Sequence, residues 1–154
     1  MKLADCLPPR VMTKINLQDW IDSTKPKLEK SREFSALEIY AITAFVLDHP
    51  REWLITHGDI ALTENQVRSL EKKTRQLIDG VPLPYIINRQ AFFGLDFYVT
   101  PDVLIPRPET ELLVEEAFKW LSLHPQRRTL IDVGTGTGII PICLIDHFTD
   151  LSAT

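Results

Sequence analysis

The sequence predicts an α plus α/β protein, with a small helical bundle over residues 1–80, a β-hairpin linker over 81–105 and the start of an α/β domain over 106–154. Apolar residues recur at helical spacing in the first half, and β-branched and aromatic residues become frequent after Gly80. Near the end, "LIDVGTGTGII" runs from an apolar strand pattern into a glycine-rich turn. With 44% apolar residues, the chain can bury a core.

Charge and cysteine content exclude several classes of protein. The formal net charge is −4, and residues 81–154 carry 5 basic against 9 acidic residues. A protein whose main role is to coat nucleic acid or an anionic membrane is therefore disfavoured. Cys6 and Cys143 form no CxxC pair, the four histidines have no metal-ligand spacing, and the N-terminus has no signal-peptide pattern. We therefore expect a soluble, cytoplasmic, monomeric protein without a metal site, a membrane segment or direct nucleic-acid contact.

The first helix is predicted in "NLQDWIDSTKPKL", where Asn16 is a suitable N-cap. Pro26 should kink or interrupt this helix, because it lacks an N–H and clashes with the preceding turn. The apolar face consists of Leu17, Trp20, Ile21 and Leu28.

Two further helices follow. "SALE", Ser35 to Glu38, is a capping box, and Pro50 should end the helix that it opens near His49. "REWLITH" predicts a short helix that closes at Gly58. The buried face predicted for the longer helix consists of Leu37, Tyr40, Ala41, Ala44 and Phe45.

A second capping box, "TENQ" from Thr63 to Gln66, opens the fourth helix, which Gly80 stops. The outer face carries a run of basic residues, for which a solvated surface is favoured over a docking patch. The bundle shows no catalytic constellation, so we interpret it as a partner-binding or positioning domain. Its inward residues are Val67, Leu70, Thr74, Leu77 and Ile78, and its outward bases are Arg68, Lys72, Lys73 and Arg75.

The middle of the chain has β character. Pro82 and Pro84 favour extended backbone, and a hairpin is predicted to turn at Gly94, Leu95 and Asp96. The aromatic residues around that turn should pack the hairpin onto a neighbouring element, or one of them could cover a flat ligand such as adenine. These residues are Phe92, Phe93, Phe97 and Tyr98.

Arg107 lies between two prolines in "LIPRPETELLVEEAFKWL". Pro108 suits the first turn of a helix, where Glu109 and Glu111 favour the positive end of the helix dipole. A helix start does not need an arginine held this rigidly, whereas a site residue does. The predicted buried face of this helix is Leu112, Leu113, Ala117 and Leu121.

The glycine-rich turn is spaced G-x-G-x-G. A dinucleotide fingerprint would need glycine where Ile139 stands, and a phosphate-binding P-loop would need a lysine, so hydride transfer and NTP hydrolysis are disfavoured. The turn has no basic residue, which suits the amino-acid part of S-adenosylmethionine better than a polyphosphate. The carboxylate of S-adenosylmethionine can bind at the helix N-terminus, and Asp132 is placed to bind its ammonium group.

The helical module is followed in turn by "GVPLPYIINRQAFFGLDFYV", "LIPRPETELLVEEA" and "LIDVGTGTGIIPI". In this order of segments, the chain resembles the HemK/PrmC-type glutamine methyltransferases that modify peptide chain release factors. The resemblance implies a class I, Rossmann-like, S-adenosylmethionine-dependent methyltransferase domain, with the helical domain positioning the release factor. Phe92 would lie against the cofactor, and the site near the methyl donor would be shaped by Arg107, Pro108, Glu109 and Thr110. The residues implied to bind the cofactor in the turn are Asp132, Gly134, Thr135, Gly136, Thr137 and Gly138.

The chain departs from the family pattern at three positions: Asn88 stands where the family usually has a glycine, Ala91 where it has an acid, and Pro141 where it has a small helix former. Pro141 should be tolerated because it falls in the first turn of a helix. The family's catalytic "NPPY" segment does not occur in these 154 residues, so no catalytic residue is assigned. We expect an inactive N-terminal piece of a longer enzyme, in which "LIDV" has no parallel neighbour within the chain.

Two alternatives remain open. The same glycine turn serves amino-methyltransferases that act on nucleic acid, so the chain could be a fragment of one of them. The chain could instead be a non-catalytic interaction protein whose helical bundle is the working part.

Overall fold

The computed structural model describes residues 15–30 and 36–154. The chain divides into two compact units, of which the first ends at Gly80 and the second runs from Val81 to Thr154. Two residues used in the sequence predictions, Cys6 and the capping-box residue Ser35, lie outside the described ranges.

The first helix, α1, spans Leu17–Glu29, and the predicted cap at Asn16 is confirmed because its side chain accepts a hydrogen bond from the Asp19 amide at 2.7 Å. The predicted apolar face is buried as well. Pro26 lies inside the helix and does not interrupt it. Because Pro26 lies in the last turn, its missing N–H costs the helix only one backbone hydrogen bond.

Helix α2 spans Ala36–Leu47, and its predicted buried face is wrong in part. Leu37 and Phe45 are 63% and 45% exposed, whereas Ile39, Ile42 and Thr43 are buried together with Ala41. The helix is apolar almost all round and contacts α1, so residue spacing alone does not select the face that is buried.

The other two helices of the first unit follow the predictions closely. Helix α3 spans Arg51–Thr56, and α4 spans Glu64–Ile78. The predicted capping box is confirmed, since the Thr63 amide donates to Gln66 Oε1 at 2.8 Å and the Gln66 amide donates to Thr63 Oγ1. Leu70, Thr74 and Leu77 form its buried face. The two helices α3 and α4 both contact α2.

The second unit begins with a helix and a hairpin, and both differ from the prediction. Residues Leu83–Ile87 form the short helix α5, because Pro84 falls in a first turn, where proline is accepted. The strands β1, Gln90–Phe92, and β2, Leu95–Phe97, pair antiparallel. The hairpin therefore turns at Phe93 and Gly94 rather than at "GLD".

Asn88 explains how the chain accommodates its departure from a family glycine. The residue is left-handed, with φ of 52°, a conformation that asparagine tolerates better than most other side chains. Its side-chain amide donates to the Val99 carbonyl at 3.1 Å, while the Val99 amide donates back to the Asn88 carbonyl. Asn88 thus joins the end of α5 to the segment after β2.

Helix α6 spans Glu109–Leu123 and begins after Pro108, as predicted. Leu121 is buried as expected and Ala117 is partly buried, but Leu112 and Leu113 are 62% and 56% exposed. Val114 is fully buried in their place. The core of this unit contains Phe92, Phe97, Val114, Leu121, Ile139, Cys143, Leu144 and Leu151.

The expectation that "LIDV" has no parallel neighbour in the chain is wrong. Strand β3, Thr129–Leu130, leads through helix α7, Ile139–His147, to strand β4, Ser152–Ala153, which pairs parallel with β3. Leu151, the residue before β4, is buried in the core. The four residues after Asp150 carry too little apolar pattern for a strand to be predicted from sequence.

Candidate functional site

The glycine-rich turn joins β3 to α7. Gly134, Gly136 and Gly138 have φ of 79°, 56° and 72°, a region that L-amino acids with side chains rarely adopt. A Cβ atom at Gly134 or Gly136 would meet nothing within 4 Å, so backbone conformation rather than crowding calls for glycine there. This side of the turn is open, and a ligand can approach its backbone closely.

Asp132 lies at the entrance to the turn. Its amide donates to the Thr154 carbonyl at 2.9 Å, which continues the β3–β4 pairing beyond the two strands. Among the described residues, its Oδ2 atom is a buried oxygen that has no hydrogen-bond partner. Because buried polar atoms normally have a partner, this oxygen marks a place where a donor from a ligand would be stabilised.

The start of α7 supplies hydrogen-bond donors of opposite polarity to this acceptor. Gly138 is the N-cap residue and has no side chain, and its own amide donates to the Thr135 carbonyl at 2.9 Å. The first amides of a helix have no partner within the helix, and they lie at the positive end of its dipole. A carboxylate at this helix start and an ammonium group at Asp132 would match the polarity of the turn, as an α-amino acid requires.

Phe92, which was predicted to lie against a cofactor, is 3% exposed and belongs to the core cluster of the second unit. Its ring makes an edge contact with Phe97, with ring centroids 6.3 Å apart. Ile139, the first residue of α7, belongs to the same cluster. The core therefore connects the hairpin to the helix that follows the glycine-rich turn, while the ring of Tyr98 is 74% exposed.

The segment from Arg107 to Thr110 forms the start of α6. The carbonyl of Arg107 accepts from the Thr110 amide at 2.9 Å, and the carbonyl of Pro108 accepts from the Glu111 amide at 3.0 Å. The side chains of Arg107 and Glu109 are exposed. Within the part of the chain that the structure describes, neither of these two side chains makes a hydrogen bond or an ion pair.

Glu111, the residue directly after this segment, was not predicted as a site residue. Glu111 Oε1 accepts a hydrogen bond from the Phe93 amide at 3.0 Å, which ties the hairpin turn to α6. The sequence indicates only that the Glu111 side chain is available for such a contact, and it does not indicate the partner. Glu111 is the third residue of a helix whose N-cap is proline, so it has no N-cap amide to bind and is free to reach another partner.

Cys143 lies near the site, but its environment does not favour a nucleophile. Burial, together with the charges of Asp146 and Glu111, raises the pKa of this thiol to about 11. A thiol with this pKa is almost entirely protonated at neutral pH. Cys143 therefore serves as a small apolar residue of the core.

Metal-binding groups and membrane-spanning helices are both absent from residues 15–30 and 36–154. These residues contain no group of three or more His, Cys, Asp or Glu side chains that could hold a metal ion. Across the same residues, no helix combines the length and the apolar character needed to cross a membrane.

The fold and the site define a class of two-unit protein. A helical unit is followed by a unit in which a glycine-rich turn joins a parallel strand to a helix. Residues 19–87 match the family model described as the PrmC N-terminal domain. The release factor glutamine methyltransferase of Xylella fastidiosa (strain Temecula1) is 41% identical over 104 residues, which is 68% of this chain and 38% of that relative.

Two other relatives carry the same name and match more of the chain. The protein from Koribacter versatilis is 34% identical over 91% of this chain and 50% of its own length. The protein from Buchnera aphidicola subsp. Baizongia pistaciae is 30% identical over 88% of this chain and 49% of its own length. These matches confirm the resemblance to the HemK/PrmC-type family that the motifs indicate, and the chain spans half or less of the length of these relatives.

Proposed function

We propose that the second unit contributes the first part of an S-adenosylmethionine site, in a protein that methylates the side-chain amide of a glutamine in peptide chain release factors. The observation that carries this proposal is the buried, unpartnered Oδ2 of Asp132 at the entrance to a turn with three left-handed glycines. The names of the relatives provide the reaction and the substrate.

The residues of this chain would bind and orient the cofactor. Asp132 would accept hydrogen bonds from its ammonium group, and the first amides of α7 would donate to its carboxylate. When bound, S-adenosylmethionine supplies an electrophilic methyl group on a sulfonium. The backbone of Gly134 to Gly138 would fix the direction in which that methyl group points, so that catalysis comes from orientation.

We propose two roles for the other predicted site residues. Arg107, Pro108, Glu109 and Thr110 would shape the site near the methyl donor, with the exposed guanidinium of Arg107 available to a ligand. Phe92 would support the cofactor indirectly by holding α7 in place, since its ring is buried in the same core cluster as Ile139. In the first unit, residues 15–30 and 36–80 would position the release factor.

Because these 154 residues contain no Asn-Pro-Pro-Tyr segment to hold the target amide, we infer that they transfer no methyl group by themselves. The binding test is a titration of the isotope-labelled chain with S-adenosylhomocysteine, followed by the amide resonances of Gly134, Gly136 and Gly138. We expect shifts at these amides. Asp132→Ala should weaken binding about tenfold or more, because it removes a charge-assisted hydrogen bond.

The matched control is Asp146→Ala, which removes an exposed aspartate from α7 and should leave the affinity unchanged. Shifts located elsewhere in the chain, or equal affinities for the wild type and Asp132→Ala, would contradict the proposed site. The inactivity of the chain is tested separately by mass spectrometry of a release factor, and of RNA or DNA, each incubated with S-adenosylmethionine and the chain. Methylation of the release factor by the chain alone would disprove its inactivity, and preferential methylation of RNA or DNA would disprove the proposed substrate.

A further inference from the structure

The tip of the β1–β2 hairpin holds a residue in an unfavourable conformation. Phe93 and Gly94 form a two-residue turn with φ of 49° and 79°, which is the geometry of a type I′ turn. Glycine and asparagine are usual in such turns, whereas a phenylalanine with positive φ is uncommon. An interaction outside the hairpin is needed to explain why this conformation is kept.

Glu111 provides that interaction. In a two-residue hairpin, the amide of the first turn residue points away from the partner strand, so the hydrogen bonds of the hairpin do not use it. The Phe93 amide is half-buried and donates to Glu111 Oε1 at 3.0 Å. The acceptor is a carboxylate, and hydrogen bonds to charged groups are stronger than those between neutral groups.

The position of Glu111 in α6 leaves its carboxylate free for this contact. A glutamate at the third position of a helix commonly binds the amide of the N-cap residue and completes a capping box. The N-cap here is Pro108, which has no amide hydrogen. Within the described ranges, the Glu111 side chain forms no ion pair, and its hydrogen bond is the one with the Phe93 amide.

We propose that Glu111 is a positioning residue that fixes the hairpin tip against the first turn of α6 and thereby holds α7 and the glycine-rich turn in their binding geometry. The inference rests on the proposed function. The contact joins Glu111, which directly follows the segment from Arg107 to Thr110, to Phe93, whose ring packs against the core cluster. That cluster includes Phe92 from the hairpin and Ile139 at the start of α7. The hairpin, the start of α6 and the start of α7 are therefore connected through the same core cluster.

The experiment compares Glu111→Gln, Glu111→Ala and the matched control Glu115→Ala, an exposed glutamate one turn further along α6. Amide hydrogen exchange at Phe93 is measured by NMR on the complete chain. We expect exchange about 10- to 100-fold faster in Glu111→Ala, because its hydrogen-bond acceptor is lost. Glu111→Gln keeps an acceptor oxygen and should remain within about threefold of the wild type, as should Glu115→Ala.

The second readout reports on the site, which a bond of merely local importance would not affect. In Glu111→Ala, the amide resonances of Gly136 and Gly138 should move, and the affinity for S-adenosylhomocysteine should fall about tenfold. Glu111→Gln should restore both. If Glu111→Ala does not fold, Glu111→Asp replaces it, since a side chain shorter by one methylene withdraws the acceptor from Phe93.

Unchanged exchange at Phe93 in Glu111→Ala or Glu111→Asp would overturn the inference. Faster exchange at Phe93 with unmoved Gly136 and Gly138 resonances would also overturn it, because the contact would then be local. Failure of the wild-type chain to bind S-adenosylhomocysteine would count against the proposed function alone. In that case the exchange rates and the glycine resonances still decide the role of Glu111.

Discussion

The two units begin comparable helices in opposite ways. In the first unit, α4 completes its own start, because Thr63 and Gln66 satisfy each other's backbone amides. In the second unit, α6 starts at a proline and sends Glu111 to a distant hairpin. The start of α4 is therefore satisfied by residues of that helix, whereas the polar contact of Glu111 is present only when the hairpin is in place.

Exposed apolar side chains show the same contrast. Among the described residues, the first unit leaves three large apolar side chains substantially exposed, namely Leu37, Phe45 and Ile55. The second unit leaves ten, with Leu123, Ile131 and Val133 at 78%, 72% and 92%. Exposed apolar surface gives no stabilisation from burial, so the second unit should be the less stable of the two.

The test with the largest expected effect is a substitution that creates a cavity in the second unit. Leu144 is fully buried in its core, and Leu144→Ala should lower the free energy of unfolding by about 2–5 kcal/mol. Native-state hydrogen exchange should show the loss in α6 and α7, while α4 stays protected. The control is Leu123→Ala, which removes an exposed side chain from α6. Equal loss of protection in α4 would show that the two units unfold as one.

The end of α6 provides the next largest effect. Arg128 donates to the carbonyls of Leu121, His124 and Arg127 at 3.1–3.3 Å and to Asp150 at 2.8 Å, so it caps α6 and holds the loop before β4. Arg128→Ala should destabilise the second unit by about 1–3 kcal/mol. Urea unfolding followed by tryptophan fluorescence measures it. Arg127→Ala is the control, and a loss of the same size in that variant would contradict the assigned role.

In the first unit, the capping box should contribute less, and only locally. Thr63→Ala removes the acceptor for the Gln66 amide and should cost about 1 kcal/mol, whereas Thr63→Ser keeps the oxygen and most of the stability. Exchange rates of the first amides of α4 provide the measurement. A change of equal size in the amides of α6 would show that α4 does not complete its own start.

The smallest effect concerns the salt bridge across the hairpin. A hydrogen bond from Arg89 lowers the pKa of Asp96, so the stability contributed by this pair is present above the unfolded pKa of about 3.9 and is lost as the pH falls through the lower folded value. Both side chains are largely exposed, so the contribution should stay below about 1 kcal/mol. A double-mutant cycle with Arg89→Ala and Asp96→Asn at about pH 7 and about pH 3 measures it. A coupling energy that does not decrease between the two pH values would contradict this assignment.

Sequence patterns predicted the features that depend on neighbouring residues. The caps at Asn16 and Thr63, the start of α6 after Pro108 and the place of the glycine-rich turn all follow from residues a few positions apart. The turn of the hairpin was misplaced because Phe93 takes a conformation that its residue type disfavours. The contact between Phe93 and Glu111, 18 residues apart, depends on how the unit packs, which no local pattern contains.

The predicted buried faces failed where helices are apolar on several sides. In α2 and α6, the choice among Leu37, Ile39, Leu112 and Val114 depends on the surface that each helix meets. The parallel partner of β3 was missed for a related reason. Ser152 and Ala153 form a strand because Leu151 is anchored in the core and because Leu130 and Asp132 form hydrogen bonds with Thr154, not because of any strand propensity.

The pairing of β3 with β4 also sets an order for folding. Thr129 and Ser152 are joined through the whole of α7, so the chain must close a long loop before these strands can bond, and such non-local contacts form slowly. The helices of the first unit form from local contacts. We expect pulse-labelling during refolding to detect protection in α4 before protection at Thr154, and the reverse order would contradict this. The glycine-rich turn would then be among the last parts of the chain to take shape.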